Sequence, residues 1–264
     1  MSDTPSSSRI STRISIRWLP DPAFENTDTI VMSVANWYVD LRMDKKTNKI
    51  DWAIAGQRLV ESKEPMRVLF THELDSQNAF SAVDSGTFTD LPNGDGLETG
   101  QMPRHDLPGA PIGDYEEVWR ELTPKEGPEG KNRGVSWILE SVGEDFGDQE
   151  GEVRVVKTFL GRIWGTYVAL RQMQTHTRHR TPSGEWKVSK TGADVSARRE
   201  EWEPGFGWRA KYVIGKDNTL PSLNDGFGNK GKILRSPGEK IVIGEETYIV
   251  RAFEEMGKVE IPKL

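Results

Sequence analysis

The chain has 264 residues, 35% of them hydrophobic and 29% charged, with nine Trp and no cysteine. That length accommodates two ordinary domains, which most often run about 100 to 150 residues, and the lack of cysteine excludes disulfides, thiolate metal sites and cysteine nucleophiles. A formal net charge of -6 argues against general nucleic-acid binding, which depends on Lys and Arg displacing counterions from phosphates.

Residues 1–9 (MSDTPSSSR) are Ser-rich and read as a disordered tail without the apolar core of a signal peptide. From ISTRISIRWL onward the pattern is two-residue alternation, with Ile14, Ile16 and Trp18 on one face. The same rhythm recurs in TIVMSVANWYVDLRM, IDWAIAGQRLV, MRVLFTHEL, YEEVWREL and VSWILES, separated by turn-formers such as DKKTN, SKEP, NGDG and KEGPEG. EVRVVKTFLGRIWGTYVALRQM, GEWKVS, WRAKYVIG and EKIVIGEETYIVRAFEE complete the series, and no stretch has helical periodicity. Many short strands with Gly and Pro turns predict an all-β sandwich or barrel. No apolar run approaches the roughly 18 residues of a membrane span, and no Asn-x-Ser/Thr sequon occurs. The expectation is therefore a cytoplasmic or nuclear protein without a membrane span.

Tyr-Val-x-Leu-Arg occurs twice, at Tyr38 in NWYVDLRM and at Tyr167 in GTYVALRQM. Three further matches follow in the same order: Trp52 with Trp186, Arg67 with Arg209, and Tyr115 with Tyr248. The offsets are 129 (167 minus 38), 134 (186 minus 52), 142 (209 minus 67) and 133 (248 minus 115). Four ordered matches predict an internal duplication. The division expected is a first antiparallel up-and-down barrel over 10–125, a linker over 126–133 and a second barrel over 134–264. Barrels of this size either fill with side chains or hold one small ligand.

Few residues carry legible chemistry. GFGNKG (226–231) fits Gly-x-Gly-x-x-Gly, but Pro237 and Gly238 follow where a dinucleotide site needs a helix, so it reads as a loop. His176 and His179 in HTRH are flanked by Arg178 and Arg180, which would repel a metal, and are expected in a solvated hairpin loop. His72, near Glu73 and Asp75, is a general acid or base only if a partner of matched spacing exists, and otherwise an ordinary strand-end histidine. Alternation through FLGRIWGTYVAL puts Arg162 on one face with Leu160, Trp164, Val168 and Leu170. An inward guanidinium needs a carboxylate, an aromatic face or an anionic ligand. Charge is also uneven: residues 114–152 carry twelve acids and four bases, net -8, and residues 153–190 eight bases and one acid, net +7. Arg178 and Arg180 are accordingly candidate partner-docking residues.

DWAIAGQ (51–57), DSG (84–86), LETG (97–100), YEEVWRELTP (115–124) and GRIWG (161–165) together resemble the fungal "Hri one" protein family. The resemblance runs in order from about residue 14 to the C-terminus. It implies two lipocalin-like barrels in tandem, a cytoplasmic or nuclear location, association with a casein-kinase-I-type kinase, and no established enzymatic activity, cofactor or catalytic residue. The loop from Thr181 to Gly205 is longer and more charged than the family pattern. The leading expectation is a non-enzymatic interaction protein. The first rival is a carrier of a small apolar or anionic ligand, in a barrel lined by Trp37, Trp52, Trp164 or Trp186. A cyclase or isomerase using His72 or Arg162 in such a cavity is the second. No metal site is expected. If the halves differ in role, the second, with Arg162, Trp164 and the basic hairpin, is the expected place to look.

Overall fold

The computed structural model describes residues 8–104, 106–143, 150–215, 220–225 and 236–257. Among them the regular structure is strand, apart from one helical turn at Leu223–Asp225. The first half holds β1 (Arg9–Trp18), β2 (Thr27–Val34), β3 (Trp37–Asp44), β4 (Ile50–Lys63), β5 (Met66–Phe70), β6 (Leu74–Asp75), β7 (Asp84–Asp90), β8 (Gly96–Pro103) and β9 (Ile112–Leu122). The second holds β10 (Gly134–Ser141), β11 (Gly151–Ile163), β12 (Thr166–Arg180), β13 (Trp186–Gly192), β14 (Ser196–Glu203), β15 (Gly207–Ile214), β16 (Lys240–Ile243) and β17 (Glu246–Met256).

Antiparallel pairing runs β3-β2-β1-β9-β8-β7-β5-β4, and β4 pairs back onto β3, so eight strands close a barrel, with β6 added on β4. Closure removes every edge of that ring. The second sheet runs β15-β14-β12-β11-β10-β17-β16, with β13 on β12. Among the described residues it stays open between β15 and β16. Both sheets begin alike, the first strand pairing the second and the last.

The repeated Tyr-Val-x-Leu-Arg forms the third strand of each sheet. It follows a two-residue turn in both, Ala35-Asn36 and Trp164-Gly165, and Ala35 and Trp164 each have φ of 52°. Such left-handed turns match the twist of a tight hairpin. A two-residue turn also inverts alternation, because Arg162 pairs across it with Tyr167 and Leu160 with Ala169. Arg162 therefore shares its face with Tyr167 and Ala169, not with Val168 and Leu170 as unbroken alternation predicts.

The repeat has a physical purpose on each face. Val39 and Leu41 of the first copy and Val168 and Leu170 of the second all enter one apolar cluster, together with Met32, Met43, Ile138 and Phe159. This cluster spans both sheets and joins their outer faces; a Cβ on Gly161 would sit 3.2 Å from Val39. Strand β3 is consequently buried on both sides. The other face of the second sheet carries an aromatic-rich cluster with Trp137, Leu160, Tyr167, Trp208 and Tyr248.

One expected match changes partner. Arg42 pairs with Trp52, and the equivalent Arg171 pairs with Ser196 of β14. Trp186 instead begins β13, which pairs only with the outer part of β12, from Gln174 to Arg180. The β13 strand is thus an added ribbon, which accounts for the long charged loop in the sequence. His176 and His179 lie in the strand of that ribbon rather than in a loop. The GFGNKG segment lies outside the described residues.

Candidate functional site

A cavity of about 520 Å³ occupies the first barrel and is lined from all eight strands of the ring. Its size falls within the range of small-molecule pockets. The inward alternation of three strands builds most of the wall: Tyr38, Asp40 and Arg42 from β3, Trp52, Ile54 and Arg58 from β4, and Tyr115, Glu117 and Trp119 from β9. Exposed Arg9, Lys63, Met66, Asp90 and Glu121 mark the mouth.

Deep in the barrel charges are paired. Arg42 donates through Nε and a terminal nitrogen to Asp40 Oδ2 at 3.0 and 2.8 Å and through the other to Glu117 Oε1 at 3.3 Å. Arg13 donates to the same Glu117 oxygen at 2.5 Å and to Glu25 at 2.7 Å. The Arg42 guanidinium lies 4.9 Å from the Trp52 ring centre and 5.6 Å from that of Trp119, a cation–π arrangement. Burial holds the Asp40 carboxyl above its usual range despite Arg42, and its Oδ1 has no hydrogen-bond partner among the described residues.

Glu98 is buried and accepts hydrogen bonds from the Tyr115 hydroxyl at 2.9 Å and from Trp119 Nε1 at 2.8 Å. Burial, reinforced by the charges of Glu117 and Asp84, pushes its pKa up to about 8. Gly86 and Gly100 make room for this pair. A Cβ on Gly86 would lie 2.2 Å from Glu98 Oε1, and one on Gly100 would lie 2.7 Å from the Tyr115 hydroxyl. Those glycines belong to the DSG and LETG elements, whose physical role is to clear this wall.

The mouth is charged differently. Arg58 is half-buried, and neither it nor Arg9 nor Lys63 forms a side-chain hydrogen bond or ion pair among the described residues. Burial, then the neighbouring Arg9, lowers the pKa of Arg58.

Of the candidate site residues expected from sequence, only Trp52 lines the cavity; its indole also donates to Asp75 at 2.8 Å. Trp37 faces the apolar cluster between the sheets. His72 is buried behind the wall, its Nδ1 2.9 Å from Asp75 and its Nε2 3.0 Å from Asp84. Burial disfavours its cation, but the two carboxylates outweigh burial and raise the pKa to about 9. Arg162, in the second half, donates to both oxygens of Glu129 at 2.7 and 2.6 Å and lies 5.2 Å from the Trp208 ring centre. Trp164 makes the β11–β12 turn against Gly134. Trp186 is partly exposed on the ribbon, with Arg178 and Arg180 at 4.3 and 4.8 Å from its ring centre.

Sequence reasoning missed Arg58, Glu98, Glu117 and Trp119. A signal existed in YEEVWRE: Tyr115, Glu117 and Trp119 alternate onto one face, and acids sharing a face with large aromatics mark more than a solvated surface. No group of acids and histidines among the described residues is arranged to hold a metal ion, and no helix there is long and apolar enough to cross a membrane.

The family described as Protein HRI1 matches residues 9–240. The crystal structure of the uncharacterized protein YLR301w from Saccharomyces cerevisiae is similar in fold, with a TM-score of 0.65 at 13% identity, covering 94% of this chain and 99% of that one. No curated protein matches the sequence.

Proposed function

The chain belongs to the HRI1 family, and from that premise we propose that it is a lipocalin-like binding protein whose ligand site is the cavity of the first barrel. The observation that carries this reading is the wall itself. A closed barrel of this size normally fills with side chains or holds a ligand, and here about 520 Å³ lies open beside aromatic faces and buried polar groups. Rings supply contact area while a few polar groups orient the occupant. An enzymatic role for His72 or Arg162 gains no support, since neither lines the cavity.

Occlusion tests the reading. Gly96 lies on the wall, and a Cβ there meets nothing within 4 Å, so Gly96→Phe should narrow the cavity while the barrel stays folded. Native mass spectrometry of the purified protein, or titration with an apolar fluorophore, should show a ligand on the parent chain and at least tenfold weaker binding to the variant. Equal binding by both would refute the assignment.

The second reading is partner docking on the β12–β13 ribbon, favoured by the partly exposed Trp186 beside Arg178 and Arg180. A casein-kinase-I-type kinase, in the cytoplasm or nucleus, is the partner the family resemblance implies. Affinity capture with the parent chain and with Arg178→Glu/Arg180→Glu tests it, unchanged recovery of the kinase counting against the ribbon. Duplication of one ancestral barrel, with domains at 10–125 and 134–264, is supported by the matching turns and the shared pairing of first and last strands.

A further inference from the structure

The three cations at the barrel mouth, Arg9, Arg58 and Lys63, form no ion pair among the described residues. Arg58 is the most informative, because it is half-buried on the cavity wall with no hydrogen-bond acceptor there, and burial and the nearby Arg9 disfavour its charge more than the charge of Glu98 favours it. Leaving a guanidinium partly desolvated without a partner is unfavourable. The rim acids Asp90 and Glu121 do not relieve it, forming no ion pair with Arg9, Arg58 or Lys63. Deeper in the barrel the situation reverses, since Asp40 and Glu117 are committed to Arg42 and Arg13. An anion on that floor would meet carboxylates already committed to arginines, whereas an anion at the mouth would meet three cations that no ion pair occupies, with Asp90 and Glu121 on the exposed rim. Between the two levels runs an aromatic wall: Phe70 pairs with Arg58 across β4 and β5, and its ring lies 5.4 Å from that of Tyr38 and 6.4 Å from that of Phe88.

We propose that the barrel takes an amphipathic acid, whose anionic head is held at the mouth by Arg58 with Arg9 and Lys63 and whose aromatic or apolar body lies along Tyr38, Phe70 and Phe88. This rests on the reading of the first barrel as a binding site. A guanidinium engages a carboxylate or sulfonate through two parallel N–H donors. Entry is head-last, the acid remaining where counter-charge and solvent meet.

Two fluorophores that differ by one anionic group provide the test: N-phenyl-1-naphthylamine and its sulfonate, 8-anilinonaphthalene-1-sulfonate. Both are titrated into the parent chain, Arg58→Gln and Gly96→Phe, with folding checked by circular dichroism. The parent chain should bind the sulfonate about tenfold more tightly than the neutral amine, as expected for a charge-assisted contact. Raising salt should shrink that ratio by screening, and Arg58→Gln should bring it close to one. Arg9→Gln, at an exposed strand start, is the second variant should Arg58→Gln fail to fold, and should reduce the ratio severalfold. Equal affinity for the two probes, or an unchanged ratio in the Arg variants, would overturn the acid assignment while leaving the barrel a binding site. Binding of neither probe, or binding undiminished in Gly96→Phe, would remove the site and the acid together.

Discussion

Replacing Leu170 by Ala tests whether the two sheets stand or fall together. Leu170 is fully buried on the outer face of β12, in the apolar cluster that also takes Val39, Leu41 and Met43 from the barrel. Deleting a fully buried leucine side chain costs about 2 to 5 kcal/mol, the transfer of the lost carbons plus the cavity left behind. Neighbours from two sheets surround this site and cannot easily collapse onto it, so a loss of about 3 kcal/mol is expected, close to a hundredfold in the folded-to-unfolded ratio. Met173, exposed on the same strand, is the control, and Met173→Ala should change stability by less than about 0.5 kcal/mol. Hydrogen exchange across a urea series reads both halves at once, through amides of β1 and β9 and of β10 and β17. In Leu170→Ala the protection of both sets should fall by the same amount and at the same midpoint. Unchanged protection of β1 and β9 while β10 and β17 weaken would refute the shared core, as would a loss below about 1 kcal/mol.

His72 should make stability fall with rising pH. Its folded pKa of about 9 lies above the ordinary value of 6.5, so the stabilisation from Asp75 and Asp84 is fully present below about 6.5 and is lost as pH passes through about 9. Each tenfold rise in proton affinity is worth about 1.4 kcal/mol, so this single imidazole contributes on the order of 3 kcal/mol, and His72→Gln should flatten the decline seen in thermal melts from pH 6 to 9.5. Glu98 slopes the same way from lower pH, because a carboxyl whose folded pKa is raised costs stability as it ionises; the His72→Gln variant therefore keeps a residual decline toward pH 8. Glu129→Ala should cost about 3 kcal/mol by leaving the buried Arg162 with only the Trp164 carbonyl and the Trp208 ring, and Glu129→Gln should recover part of this in chemical denaturation. A loss under about 0.5 kcal/mol would show that water replaces the carboxylate freely.

The period-two alternation made the all-β class legible, and the repeated Tyr-Val-x-Leu-Arg pointed to equivalent third strands. Which face of those strands met what was hidden by sequence distance. Trp37 and Trp52 look alike as aromatic strand residues, yet one faces the joint between sheets and the other the cavity. Strand β3 is buried on both sides, so its sequence lacks the clean contrast that identifies an inward face. Arg162 stands out as a charge among apolar residues, and its partner, Glu129, lies 33 positions away in the segment read as a linker. Arg58 poses the opposite problem: a lone arginine in QRLV reads as solvated until the strand carrying it closes a barrel.

The two copies of the repeat also explain why the halves differ in character. Read across the strand, YVDLR and YVALR present the same outward pair, Val and Leu, and both pairs enter the joint. On the inward face the difference is one residue, Asp40 in the first copy and Ala169 in the second. Asp40 anchors Arg42, which in turn holds Glu117 and stands over Trp52 and Trp119. Once that ion pair occupies the interior, neighbouring positions must be polar enough to solvate it, and the barrel resists collapse to a dry core. Ala169 imposes no such demand, and Leu160, Tyr167 and Trp208 close around it. One half is then free to specialise in supporting the joint while the other keeps an open, charged interior, so the search for a ligand belongs in the first barrel, although the arginine and tryptophan of GRIWG make the second half the more conspicuous in sequence.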